Sequence, residues 1–464
     1  MLDSPQTPLA ALHYNQVVMN RQRLLDGLQE FLRIPSISTL PAHQADIRRA
    51  ALFVAGELSR AGLRQVHLIE GEGNPLVYGH WLEAAGKPTL LLYGHYDVQP
   101  PDPLEEWTTP PFEPTIRGDD IFARGASDDK GQTYILIKAV ESLLEERGAL
   151  PVNVKFLIEG EEEVSGQHIE AYVRQKGRQI GADAALICDT EMFAPGLPTL
   201  CIGLRGIVYT EVEVTGSNHD LHSGVYGGVA PNPIQAIAEI LTGLKDRNGR
   251  ILIPGFYDRV RPPTSAEREA WSRLPFDEEQ YRQNEVGVSE LTGEPGFSVF
   301  ERTWARPTLE VHGIRGGFVG EGAKTVIPSR ATAKISMRLV ADMQPQEAYA
   351  QFCGAVEELT PRGTQSKVSL FSSAAPSLVS TDNRFIQTAA KAMTEVFGKE
   401  TVYIRSGGSI PIVGIFDQYA GIPSVMIGFG LPDDNLHAPN EKFHLPNFFN
   451  GITAVRRYLE MLGA

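Results

Sequence analysis

Two short stretches carry most of the chemistry in this chain: Gly94-His95-Tyr96-Asp97 and Glu159-Gly160-Glu161-Glu162-Glu163. Each ends an apolar run that reads as a buried strand, Leu90–Tyr93 and Val152–Ile158. A histidine with a carboxylate two residues on can bind a metal through one ring nitrogen while the acid orients the other. A spare carboxylate beside it can take a proton from water. Asp128, Asp189 and His437 also sit just past apolar runs or in turns. Each of these side chains alone is ordinary, since loop acids are usually caps or solvated and a lone loop histidine is usually surface. Three near-consecutive acids beside an apolar strand are costly unless a cation or solvent compensates them. The pattern therefore suits a two-metal hydrolytic centre, in which paired cations polarise a carbonyl and acidify a water.

The elements needed to position such groups are legible. Residues 16–33 read as an amphipathic helix with Leu24, Leu25, Leu28, Phe31 and Leu32 on one stripe, ended by Pro35. A second helix runs over 48–61 and closes at Gly62. Strands are expected at 76–80, 88–94, 152–159 and 184–189. Helices are expected through Tyr134, Ile137, Val140 and Leu144, capped by Ser127 or Asp128, and at 166–176. Alternating strands and helices predict an α/β fold, with a mostly parallel sheet covered by helices on both faces. The candidate ligands fall at carboxyl ends of strands, where such sheets place their sites.

Near Gly203 the pattern changes. Residues 207–214 alternate strictly, with Val208, Thr210, Val212 and Val214 on one side, as in an antiparallel strand with one solvated face. A helix at Pro233–Leu244 follows, then a Pro-, Gly- and charge-rich stretch at 245–306 that reads as irregular. Further strands are expected at 307–312 and 330–339, and a helix at 346–359. The helix–strand alternation returns after about 383, with a helix at 383–397, a strand at 423–429 and a closing helix at 447–462. Three segments result: 1–203 as the first part of a catalytic domain, 204–382 as an inserted α+β lid or dimerisation domain, and 383–464 as the second catalytic part.

Composition excludes other classes. At 464 residues the chain exceeds one core. A net charge of −15 argues against nucleic acid, which needs a basic face. No apolar run approaches the ~18–20 residues of a membrane helix, and Met1-Leu2-Asp3-Ser4-Pro5 lacks the basic and apolar regions of a signal peptide. The three cysteines, Cys188, Cys201 and Cys353, are odd in number and form no CxxC pair, which points to a reducing, cytoplasmic setting. Cys188 reads as a buried small side chain rather than a catalytic thiol.

The ordered set Leu92-Tyr93-Gly94-His95-Tyr96-Asp97-Val98-Gln99-Pro100, Gly125-Ala126-Ser127-Asp128-Asp129-Lys130-Gly131 and Glu159-Gly160-Glu161-Glu162-Glu163 closely resembles the M20 metallopeptidases. The resemblance spans nearly the whole chain, to the loop holding His437. It implies one metal on His95, Asp128 and Asp189 and a second on Asp128, Glu163 and His437, with Asp128 bridging. Glu162 would be the general base and Asp97 the acid that orients His95. The family usually has Glu-Glu-x-Gly-Ser where this chain has Glu162-Glu163-Val164-Ser165-Gly166. With three adjacent glutamates, a register shifted by one, Glu161 as base and Glu162 as ligand, stays open. The resemblance also implies a cis Asp128–Asp129 peptide.

By the same resemblance His222, in His219-Asp220-Leu221-His222-Ser223-Gly224, reaches the partner subunit's site, contacts substrate and steadies the oxyanion, so a homodimer through the inserted domain is implied. Arg338 would bind the substrate carboxylate through its planar fork, with Gly408 and Ser409 of the loop Arg405-Ser406-Gly407-Gly408-Ser409-Ile410-Pro411. Arg315-Gly316-Gly317-Phe318 resembles the dipeptidase branch and favours small peptide substrates. The expected function is hydrolysis of dipeptides or short peptides, Glu162 taking the proton from water and passing it to the leaving amine. The alternative is an N-acyl amino acid deacylase, desuccinylase- or acetylornithine deacetylase-like, on the same site. A catalytically dead scaffold predicts missing ligands, and none is missing. Mixed carboxylate and imidazole ligation suits two divalent ions, zinc first and manganese or cobalt next.

Overall fold

In the computed structural model, residues 21–464 other than Ser165 are described. The chain divides into two compact units: one of residues up to Ile202 with Val379–Ile404 and Ile415–Ala464, the other of Gly203–Leu378 with Arg405–Gly414. In chain order the strands that build them are β1 (Arg64–Ile69), β2 (Leu76–Trp81), β3 (Thr89–His95), β4 (Asn153–Glu159), β5 (Ala184–Ile187), β6 (Thr199–Leu204), β7 (Gly206–Thr215), β8 (Thr308–Gly316), β9 (Arg330–Leu339), β10 (Gln365–Ala374) and β11 (Ser424–Ile427). The principal helices are α1 (Arg21–Leu32), α2 (Gln44–Arg60), α3 (Lys130–Arg147), α4 (Gln167–Lys176), α5 (Pro233–Leu244), α6 (Pro345–Leu359), α7 (Arg384–Phe397) and α8 (Leu445–Gly463).

The first unit is an α/β structure around a sheet of order β1-β2-β4-β3-β5-β11-β6. Its middle, β4-β3-β5-β11, is parallel, and the flanking pairs are antiparallel. Strand β3 is buried from Leu90 onwards, so both of its faces are covered. On one side Leu90 and Leu92 join a core with Ile135 and Leu136 of α3, Leu28 and Phe31 of α1, and Phe448 and Ile452 of α8. On the other, Tyr93 meets Phe416 edge to face, ring centroids 5.9 Å apart. Because β3, β4 and β5 are parallel, their carboxyl ends share one edge of the sheet.

The second unit is an antiparallel sheet of order β8-β9-β7-β10. Burial along β7 alternates residue by residue, with Val208, Thr210, Val212 and Val214 inward. That face packs on Ala236, Ile237 and Ile240 of α5 and on Phe352, Ala355 and Val356 of α6.

The boundaries differ from expectation in instructive places. Residues 16–20 of the first expected helix lie outside the described residues, and α1 covers Arg21–Leu32. Helix α2 begins at Gln44, four residues before the apolar periodicity becomes regular. Neither Ser127 nor Asp128 caps α3; its N-cap is Asp129, which makes no side-chain cap bond. The stretch 245–306 is not wholly irregular: Ser265–Ser272 is helical, closed by a capping box between Thr264 and Glu267.

Candidate metal centre

The site is assembled at the shared carboxyl edge of β3, β4 and β5. His95 is the last residue of β3 and is fully buried. Its Nδ1 lies 3.1 Å from the Asp97 carbonyl oxygen and 3.3 Å from Asp97 Oδ1, so the ring proton is held there. That leaves Nε2 turned to Asp128 Oδ1 at 3.1 Å. The second Asp128 oxygen, Oδ2, lies 2.9 Å from His437 Nε2, and His437 Nε2 is 3.4 Å from Glu163 Oε2. Both histidines therefore converge on one carboxylate. Asp189, two residues beyond β5, completes a group with His95 and Asp128; Glu163, Asp128 and His437 form a second, each set with its ligand atoms within 4.8 Å of one another. Asp128 belongs to both groups.

Asp97, itself fully buried, ties the two chemical stretches together. Its Oδ1 accepts the Glu162 backbone N–H at 3.3 Å and its Oδ2 accepts that of Glu163 at 3.2 Å. One carboxylate thus fixes the imidazole and the acidic turn. Glu161 points elsewhere: its oxygens accept the backbone N–H groups of Asn74 and His168, at 2.9 and 3.1 Å. Asp129 is buried too, and its Oδ2 accepts from the His95 backbone N–H at 3.1 Å and the Thr133 hydroxyl at 2.8 Å. The Asp128–Asp129 peptide is cis, as the resemblance implies.

The electrostatics are those of acids packed against two imidazoles in a buried setting. Burial works against the charged form of His95, but its bonds to Asp128 and Asp97 outweigh this and raise its pKa well above the usual imidazole range. Bonds to Asp128 and Glu163 push His437 up to about 10. Burial, reinforced by Asp129 and Asp128, holds Asp189 far above the carboxylate range. Glu162 is pushed up to about 8, by burial first and then by Glu163, Asp128 and Asp97 against the opposing pull of His95. Glu163 Oε1 is buried with no hydrogen-bond partner among the described residues. An acceptor stranded in this way, two imidazole nitrogens and two further carboxylates make a donor set suited to divalent cations.

The candidates in the second unit form a separate arrangement. Arg338, on β9, donates from Nη1 to Ser409 Oγ at 2.8 Å, and Ser409 Oγ donates to the Arg205 carbonyl at 2.5 Å. Arg205, which the sequence reading did not single out, donates from Nε to the Gly407 carbonyl at 3.0 Å. Its Nη1 is buried with no hydrogen-bond partner among the described residues. Burial first, then the like charge of Arg338, lowers the Arg205 pKa to about 10. Two guanidinium groups beside each other, one with a spare donor, form a receptor for an anion. The Gly408 N–H is not open, since it donates to Ser406 Oγ at 3.1 Å. His222 ends a two-residue strand paired with Val326–Ile327; it is exposed, and its Nδ1 accepts from the Gly224 N–H at 3.0 Å.

Sequence comparison agrees with this geometry. The chain is 32% identical over 470 residues to the human Beta-Ala-His dipeptidase, covering 97% of this chain and 92% of that protein. It is 31% identical over 466 residues to the Cys-Gly metallodipeptidase of Schizosaccharomyces pombe, covering 97% and 98%. Its fold superimposes on the M20 family metallo-carboxypeptidase Sso-CP2 from Sulfolobus solfataricus with a TM-score of 0.85 and 33% identity, covering 95% of this chain and 99% of that one. The profile described as peptidase family M20/M25/M40 matches residues 91–461. A peptide-bond hydrolase with two overlapping ligand groups on one aspartate is what these likenesses and this site share, and the chain belongs to peptidase family M20/M25/M40.

Proposed function

We propose that this protein is a dinuclear metallopeptidase that cleaves dipeptides or short peptides. The observation that carries the reading is the pair of ligand groups, His95, Asp128 and Asp189 with Asp128, Glu163 and His437, sharing Asp128. Zinc suits the mixed imidazole and carboxylate set best, with manganese or cobalt next. Two bound cations would polarise the scissile carbonyl and acidify a water. Glu162 is the general base: it takes the proton from water and gives it to the leaving amine. Burial and the neighbouring acids make it a competent proton holder, and neighbouring cations would draw its pKa back towards neutrality. Asp97 holds the His95 ring and the Glu162–Glu163 turn in one register.

Arg338 takes the substrate's terminal carboxylate, with Gly408 and Ser409 joining it once the Gly408 N–H leaves Ser406 and the Ser409 hydroxyl leaves the Arg205 carbonyl, and His222 of a partner subunit contacts the substrate and steadies the oxyanion. A homodimer through the second unit is supported by exposed apolar side chains on the two edge strands of its sheet, Val311 and Ile314 of β8 and Leu370 and Phe371 of β10. No helix among the described residues is long and apolar enough to cross a membrane. A cytoplasmic setting is proposed from the odd, dispersed cysteines. The named relatives are dipeptidases, which does not favour the acyl amino acid deacylase alternative.

The test is a side-by-side hydrolysis screen after reconstitution with each metal. Dipeptides, tripeptides, longer peptides, and N-acetyl and N-succinyl amino acids are offered at equal concentration. Faster turnover of dipeptides supports the proposal; preference for the acylated substrates refutes it. Preference for peptides of four or more residues would move the assignment to a carboxypeptidase.

A further inference from the structure

We infer that Glu441 is the positioning residue that holds the His437 loop and the Asp128 loop of the metal centre in register. This rests on the metal-dependent reading above. Glu441 is fully buried and lies four residues beyond His437 in the same loop. Its Oε1 accepts the backbone N–H groups of Ser127 at 3.0 Å and Asp128 at 3.1 Å. Its Oε2 accepts the Gly125 N–H at 2.9 Å and the Arg124 guanidinium Nη1 at 2.7 Å. Four donors thus fill the lone-pair sites that a carboxylate has to offer. No acceptor capacity is left for a cation, so Glu441 is not a ligand. It grips the backbone of the residue whose side chain meets both His95 and His437.

The grip runs both ways. The Ala123 N–H donates to the Glu441 carbonyl at 3.1 Å, and the Ser127 hydroxyl donates to Asp434 Oδ2 at 2.9 Å, earlier in the His437 loop. That loop carries Asn435, His437 and Asn440 in left-handed backbone conformations, with φ of 56°, 61° and 62°. Side chains other than glycine keep such conformations when their surroundings impose them. Glu441 supplies that restraint: its own loop presents His437, and the loop it holds presents Asp128. Without it, the separation between Asp128 and His437 is no longer set by a charge-assisted network.

The test measures metal affinity by chelator competition with Zn²⁺ and Co²⁺ in wild type, Glu441→Gln and Glu441→Asp. Gln retains the shape but turns an NH₂ group onto existing donors. Asp retains the charge but is a methylene short of spanning both pairs. Each is expected to weaken metal binding about 10- to 100-fold, the usual range for residues that orient ligands. Activity should return as metal is raised, and the visible spectrum of the Co²⁺ form should change. A folded variant with wild-type affinity and Co²⁺ spectrum overturns the inference. Hydrogen exchange on the metal-free wild type is the second measurement and needs no variant to fold. The amides of Gly125, Ser127 and Asp128 should be protected, and exchange at exposed-loop rates also overturns the inference. If the wild type binds no metal while those amides are protected, the failure belongs to the functional reading instead.

Discussion

Glu161 and Glu162 differ by one position in sequence and should differ completely in consequence. Glu162→Gln removes the proposed base and leaves the turn intact, since its anchor is the backbone N–H on Asp97 Oδ1. General-base catalysis is worth about 10²- to 10⁴-fold, so kcat should fall by that factor, a barrier increase of about 3 to 5.5 kcal/mol. Metal content should stay at the wild-type value, because the proposed ligand Glu163 keeps its bond from Gln99 Nε2 at 2.7 Å. Glu161→Gln should do the reverse. Both oxygens of Glu161 accept backbone N–H groups, from Asn74 and His168. An amide there turns an NH₂ towards one of those donors, costing about 1–3 kcal/mol of stability while kcat stays within a few-fold of wild type. The assay is kcat on a dipeptide at saturating metal, with metal analysis and urea denaturation of each variant. A collapse of kcat in Glu161→Gln with near-normal turnover in Glu162→Gln would refute the assignment and restore the shifted register.

Three further outcomes are expected. Metal binding near pH 7 should release protons: His437 is held up at about 10 and Asp189 is raised in the metal-free chain, yet a ligand must be neutral imidazole or ionised carboxylate. Affinity should therefore rise with pH between about 6 and 8, by tenfold per pH unit for each proton released, and calorimetric heats should depend on the buffer's ionisation enthalpy; buffer-independent heats would contradict this. Arg338→Met should raise KM for dipeptides about 10- to 100-fold through loss of a charged hydrogen bond, with little effect on C-terminally amidated analogues; equal effects on both would remove Arg338 from carboxylate recognition. Lys138→Met should destabilise the first unit by about 1–3 kcal/mol, because Lys138 bonds buried Glu57 at 2.5 Å and buried Glu141 at 2.7 Å and its loss leaves them only the half-exposed arginines Arg60 and Arg23; urea unfolding measures it.

Much of this architecture is written locally. The apolar runs before His95, Glu159 and Asp189 mark the parallel centre of the sheet, and the alternation along β7 marks a one-faced sheet. His95, Asp189 and the turn carrying Glu163 follow such runs, so periodicity and residue type locate them together, whereas Asp128 and His437 lie in loops. The helix at Ser265–Ser272 was legible in principle through Thr264 and Glu267, but eight residues set among proline, glycine and charge give too little periodicity to stand out.

What composition and spacing hide is the layer that holds the ligands. Asp128 owes its backbone position to a side chain 313 residues away, Glu441, and the Ser127 hydroxyl is held by one 307 residues away, Asp434. Arg205 and Ser409, 204 residues apart, share a bond that no window could connect. Such residues look like any loop acid or surface arginine, because their meaning lies in donors supplied by another element. A buried carboxylate is costly until every lone pair is answered, and Glu441 is answered four times over by one loop. This asymmetry explains why the ligands, and Asp97 two residues from His95, could be read from the chain while distant supports could not: a ligand is defined by its own chemistry and local setting, a distant support by who donates to it. It follows that the supports, not the ligands, are where substitutions harmless by residue type should have their largest unforeseen effects on metal affinity.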